Sequence, residues 1–134
     1  MSKKLIVAGT LFGFLAVILG AFGAHALKEV LDANSLESFQ TGVRYQMYHA
    51  LLMIAVGGTQ IWSESTKKYV FYLLIFGLIL FSGSIYGLAT YEITSINFKP
   101  IGFVTPMGGL FLILAWLILL INILKKKDFN VIKN

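Results

Sequence analysis

The chain has 134 residues, 57% hydrophobic and only 13% charged, with a formal net charge of +5 and a mean hydropathy of +0.81. An ordinary soluble domain is roughly 45–50% apolar and about 25% charged. Charge this sparse cannot cover a water-soluble globule, which excludes a cytosolic enzyme domain and a disordered tail and points to a single-domain membrane protein.

Four apolar stretches occupy residues 5–24, 45–62, 69–91 and 101–124. Each reaches or approaches the roughly 20 residues that a helix needs to cross about 30 Å of hydrocarbon. A segment in lipid must satisfy its own backbone, so all four are predicted to be helices. The expected fold is all-α: a polytopic membrane protein of four transmembrane helices, with an amphipathic helical segment between the first two. Lys3 and Lys4 ahead of the first stretch, with Ala24-His25-Ala26 behind it, also fit a signal peptide. The apolar run exceeds the 7–15 residues of such a segment, so a retained helix is expected.

The first stretch carries Gly9, Gly13, Ala16, Gly20 and Ala24 on one helical face, a small-residue stripe that lets another backbone approach closely. After it, the stretch from His25 to His49 carries five charges (Lys28, Glu29, Asp32, Glu37 and Arg44) along faces of predicted helices. If the first helix continues, His25, Glu29 and Asp32 share a face. Asn34 followed by Glu37 reads as a capping box, so a new helix is expected from Ser35. Leu36, Phe39, Val43, Met47, Ala50 and Ile54 then form its apolar stripe, with Glu37, Thr41, Arg44 and Tyr48 opposite. From Ser35 to Trp62 such a helix is about 42 Å long, so its first turns stand at the outer surface. Arg44 is placed near that boundary, paired with Glu37 or with an acid upstream.

The third stretch contains Gly83 and Gly87 as a G-x-x-x-G, with Gly77 and Ser84 at nearby angles; packing within a bundle or between subunits is expected there. Near the start of the fourth stretch, Pro106 either kinks a helix that begins at 101 or serves as the first helical residue after a Thr105 cap. The second reading avoids breaking an internal hydrogen bond and gives a helix over 106–124.

Charge placement supplies orientation. With the N-terminus inside, inner segments hold eight basic residues (Lys3, Lys4, Lys67, Lys68, Lys125, Lys126, Lys127, Lys133) and outer segments three (Lys28, Arg44, Lys99). The positive-inside rule places both termini in the cytoplasm. The basic residues flank apolar runs instead of forming a basic-aromatic patch, which argues against nucleic acid.

Four runs carry a resemblance: GAFGAHAL (20–27), TGVRYQMYHAL (41–51), FSGSIYGLA (81–89) and GFVTPMGG (102–109). Together, and in this order over nearly the whole chain, they resemble domain-of-unknown-function family 423, a family of small multi-pass bacterial membrane proteins. The resemblance implies a membrane fold. It transfers no catalytic or cofactor residue, because the family has no established activity. The family's His25, Tyr45 and His49 are present here.

Candidate ligand-binding residues are His25, Glu37, Arg44, Tyr45, Tyr48 and His49, with both histidines expected near the outer face. Without cysteine, thiolate metal sites are excluded. The histidines lack a zinc spacing, so neither a metal nor another cofactor is expected. No G-x-S-x-G, H-E-x-x-H or phosphate-cradling loop is present, and no enzyme is expected. The leading expectation is a non-enzymatic membrane component: an oligomer, an assembly partner or a lipid-interacting protein. The lipid bilayer, a second copy of the chain, or a lipid or small ligand would be its partners. The alternative is a small transporter or channel using the region of His25, Arg44, Tyr48 and His49; a membrane enzyme or a metal- or haem-binding protein ranks third.

Overall fold

A computed structural model describes residues 1–97 and 99–126; the rest of the basic tail, with Lys127 and Lys133, lies outside the described residues. The described residues are helical, without strands. Helix α1 (Ser2–Ala24) ends in a short 3-10 turn (Leu27–Glu29), and α2 covers Ala33–Gly58. Helix α3 (Glu64–Leu78) passes through a π-helical turn (Ile79–Gly83) into α4 (Ser84–Ala89). After α5 (Tyr91–Thr94) and a 3-10 turn (Lys99–Ile101), α6 runs over Val104–Leu124. Three of these stretches, Ser2–Glu29, Glu64–Ala89 and Val104–Leu124, are long and apolar enough to cross a membrane. Helix α2 has the length, at 26 residues, but carries more polar side chains.

The long helices alternate in direction. Gly57 near the end of α2 lies beside Ser2 and Leu5, and Gly23 near the end of α1 lies beside Phe39. Small residues set this approach. A Cβ on Gly9 would come within 2.6 Å of the Ala50 carbonyl oxygen and 2.8 Å of Ile54 Cγ1. Gly13 and Gly20 face Ala50 and Val43, so the stripe expected on α1 packs within the chain. Ala24 is a correction: it is exposed, and Gly23 takes the last place in the interface. The helix stops at Ala24, where the chain tightens so that Leu27 and Leu31 turn in against Phe39 and Ala89.

Helices α3 and α6 form the second pair. Gly77 faces Leu112 and the Gly108 carbonyl, and Gly108 sits directly against the Leu80–Phe81 backbone at the π turn. The main core joins both pairs through Leu5, Met53, Val56, Val70, Leu74 and Leu112. Burial of such side chains excludes solvent, but in a membrane close van der Waals packing holds helices together.

Four local expectations are corrected. Asp32, not Asn34, caps α2: its Oδ1 accepts from the Asn34 and Ser35 amides at 2.8 and 3.0 Å, and its Oδ2 accepts from the Ser35 hydroxyl at 2.7 Å. These bonds, the Ser35 hydroxyl foremost, hold the exposed Asp32 carboxyl below the usual aspartate range. Helix α2 ends at Gly58 instead of reaching Trp62. Helix α6 starts two residues before Pro106, which falls in the first turn where an amide has no intrahelical partner. Gly83 meets nothing within 4 Å if given a Cβ, so the G-x-x-x-G is not a close contact at that residue; Gly87 is half-buried.

Candidate functional site

Helix α2 carries a seam of polar contacts along its inward face. Gly42 comes first: its carbonyl accepts a hydrogen bond from the buried Ser82 hydroxyl at 2.8 Å. One turn on, Gln46 Nε2 donates to the Phe12 carbonyl of α1 at 2.8 Å, while Gln46 Oε1 accepts from the Tyr86 hydroxyl at 2.8 Å. A single amide thereby ties α2 to both α1 and α4. Next is His49, only 5% exposed. Its Nδ1 lies 2.7 Å from the Tyr45 carbonyl, and its Nε2 accepts from the Trp116 indole at 3.2 Å.

The two bonds of His49 fix its chemistry. A carbonyl only accepts and an indole N–H only donates. Nδ1 therefore carries the proton and Nε2 offers its lone pair, which is the neutral tautomer with both nitrogens engaged. A metal at Nε2 would have to displace the indole. No group of three or more His, Asp or Glu placed to hold a metal occurs among the described residues.

Beside this seam a lateral groove of about 490 Å³ opens between α2 and α6. Tyr45 bridges it, with its ring 4.8 Å from Phe81, 6.1 Å from His49 in a stacked arrangement, and 6.0 Å from Tyr48. Phe81 belongs to the π turn, whose extra residue swings it toward α2. Gly109 and Trp116 form the α6 side.

Of the six residues singled out in the sequence, the structure gathers Tyr45, Tyr48 and His49 at this groove. His25 stands apart at the end of α1, in an open depression with Lys28 and Glu29. Glu37 is exposed, and its carbonyl, not its carboxylate, receives the Thr41 hydroxyl. Arg44 is a correction: its guanidinium donates to Thr41 Oγ1 at 2.9 Å, with no acid bridged among the described residues. His49 is a second correction. It lies about 14 Å from the Gly58 end of α2 and about 24 Å from the Ala33 end, well inside the helix.

A family profile described as "Protein of unknown function (DUF423)" matches residues 19–109, which contain α2, the π turn and the α6 glycines. The chain belongs to the DUF423 family. Among DUF423 relatives, it is 40% identical over 123 residues to the UPF0382 membrane protein SSP2132 of Staphylococcus saprophyticus, covering 92% of this chain and 98% of that one. It is 34% identical over 125 residues to the UPF0382 membrane protein YwdK of Bacillus subtilis, covering 92% and 98%. It is 33% identical over 130 residues to the UPF0382 inner membrane protein YgdD of Escherichia coli, covering 94% and 93%. No solved structure matches. This DUF423 chain is accordingly a helical membrane protein.

Sequence reasoning missed several polar members of this DUF423 fold. Gln46 and Tyr86 lie within the runs 41–51 and 81–89, and their signal is an amide and a phenol at helical positions facing neighbours. Lys67 reads as a flanking charge but is fully buried. Its ammonium donates to Ser2 Oγ at 2.8 Å and to the Thr59 carbonyl at 2.6 Å, and lies 3.9 Å from Glu64 Oε1. The exposed Glu64 also takes the terminal ammonium at 2.6 Å. Nearby, Thr66 donates to Asn122 Oδ1 at 2.9 Å, closing α3 onto α6.

Proposed function

We propose that this DUF423 protein is a non-enzymatic, four-span component of the bacterial plasma membrane, with both termini in the cytoplasm. The carrying observation is the polar seam: Gln46 and His49 direct every polar side-chain atom to a neighbouring helix or to their own backbone. Side chains so engaged hold a bundle together and leave no nucleophile, base or ion ligand free at that point. Helix α2 is the fourth span in this reading. At 26 residues it extends about 39 Å, enough to cross the hydrocarbon with its Asp32 cap at the outer surface. Its Gln46 and His49 side chains face protein, which is how a less apolar helix enters lipid.

The basic residues support the orientation. Lys3, Lys4, Lys67, Lys68, Lys125 and Lys126 all belong to the end of the bundle where α1 begins and α6 ends. Lipid and a second copy of the chain are the partners that an open groove and exposed apolar faces admit.

Reporter fusions after Ala26, Gln60 and Asn134 test the topology, with Gln60 and Asn134 expected inside and Ala26 outside. Reconstituted into proteoliposomes, the protein should show no ion flux sensitive to His49→Ala. A flux lost in that variant would replace this reading with a transporter.

A further inference from the structure

We infer that the groove between α2 and α6 binds an isoprenoid quinone: a neutral, planar ring with carbonyl acceptors on an apolar tail. The inference builds on the four-span reading, because depth is part of it.

Begin with shape. The groove has about 490 Å³, within the roughly 300–1,000 Å³ of small-molecule sites. It opens sideways, with Tyr48, Ile113 and Trp116 all more than half exposed at 55%, 64% and 51%. Its walls are flat rings, and the Tyr45 and His49 planes are only 26° apart. On the α6 side Gly109 leaves the Phe81 ring uncovered, 3.5 Å from where a Cβ would stand. Flat aromatic walls suit a planar ring entering from the lipid.

Polarity narrows the class. His49 and the Trp116 N–H already satisfy one another. Among the described residues, no hydrogen bond engages the Tyr45 or Tyr48 hydroxyl at the groove. The site therefore offers two phenolic donors, with no charged side chain lining it. Such a site selects a neutral ligand with acceptors.

Depth decides between the remaining acceptors. Tyr48 lies about 15 Å from the Gly58 end of α2, and Ile113 across the groove lies about 14 Å from the Val104 end of α6. In a hydrocarbon layer about 30 Å thick, that is its middle. Glycerolipid esters sit at the headgroup boundary, about 15 Å away, and alkyl tails have no acceptor. A lipid-soluble quinone brings carbonyls to this depth.

The test uses the full chain in nanodiscs with Trp62→Phe, which leaves Trp116 as the one indole of the two in the chain. A decyl-substituted benzoquinone should quench Trp116 fluorescence saturably, and decylbenzene should not compete. Tyr45→Phe with Tyr48→Phe keeps both rings and should weaken binding about tenfold or more, as expected for two lost hydrogen bonds. Gly109→Leu should abolish the saturable phase. If that variant does not fold, the decylbenzene competition decides. Linear quenching, equal competition by decylbenzene, or unchanged affinity in the phenylalanine pair overturns the quinone. Reporters that place Ala26 and Gln60 on one side of the bilayer overturn the four-span reading and the depth argument with it; opposite sides with linear quenching overturn the quinone alone.

Discussion

The indole N–H of Trp116 donates to Nε2 of His49 across 3.2 Å, joining α6 to the interior of α2 over 67 positions of sequence. The rings meet edge to face, with centroids 6.4 Å apart at 72°. Replacing one partner strands the other in a poorly solvated place. His49→Leu should cost about 1–3 kcal/mol of unfolding free energy. Adding Trp116→Phe should cost less than the sum of the two single changes, as a double-mutant cycle of detergent-titrated unfolding would reveal.

Gly9 and Gly83 should respond oppositely to the same substitution. A Cβ at Gly9 collides with α2, whereas one at Gly83 meets open space. Gly9→Ala is expected to lower stability by about 1–3 kcal/mol through forced separation of α1 and α2. Gly83→Ala should be neutral or slightly stabilising through helix propensity. Thermal unfolding of the two variants in one detergent makes the comparison.

Adjacent lysines offer a second contrast. Lys67 is fully buried on Ser2 and Thr59, while Lys68 is exposed. Lys67→Met removes the ammonium together with its bonds and should destabilise by about 1–3 kcal/mol. Lys68→Met should stay within about 0.5 kcal/mol. Equal effects in equilibrium unfolding would contradict this placement.

Gln46 links three helices, so its loss should couple to Tyr86. A cycle of Gln46→Leu and Tyr86→Phe should return an interaction energy of about 0.6 kcal/mol, with about 1.7 as a ceiling, the range found for hydrogen bonds between membrane helices. Hydrogen exchange at α1 should rise in Gln46→Leu alone, because Phe12 loses its partner.

The Asp32 cap predicts an acid-sensitive start to α2. Its folded carboxyl titrates below the ordinary value of 3.8, so its contribution is fully present above that value. It is lost as pH falls through the depressed folded value. Exchange of the Asn34 and Ser35 amides should therefore quicken relative to the rest of α2 only in strong acid. Asp32→Ala should show the quickened exchange at neutral pH, because the cap is then absent at every pH.

The apolar runs made the helices legible, and the steps between Gly9, Gly13, Ala16 and Gly20 made the α1 interface legible, because both depend on spacing along the chain. Gathering at the groove was legible for Tyr45, Tyr48 and His49, which share one helix. Partners remote in sequence were not: nothing near His49 specifies Trp116. Lys67 and Lys68 are chemically identical, and only the rotation of α3 against α1 and α2 decides which is buried. Asp32 and Asn34 are both good caps; Leu27 and Leu31 turning in under Phe39 favour the earlier one. The π turn has no composition signature and shifts the facing of all that follows.

That turn has a consequence for lineage as much as for shape. Before it, α3 directs Leu74, Gly77 and Leu78 toward the core shared with α6; after it, α4 directs Ser84, Tyr86 and Ala89 toward α6 and α2. One inserted residue lets a single apolar run address two neighbours without a break in the chain. It also makes 79–83 intolerant of length change: removing one residue would restore an ordinary helix and rotate everything beyond it by about 100°. Tyr86 would leave Gln46, and Ser84 would leave Thr105. The residue count there is held fixed by two partners at once.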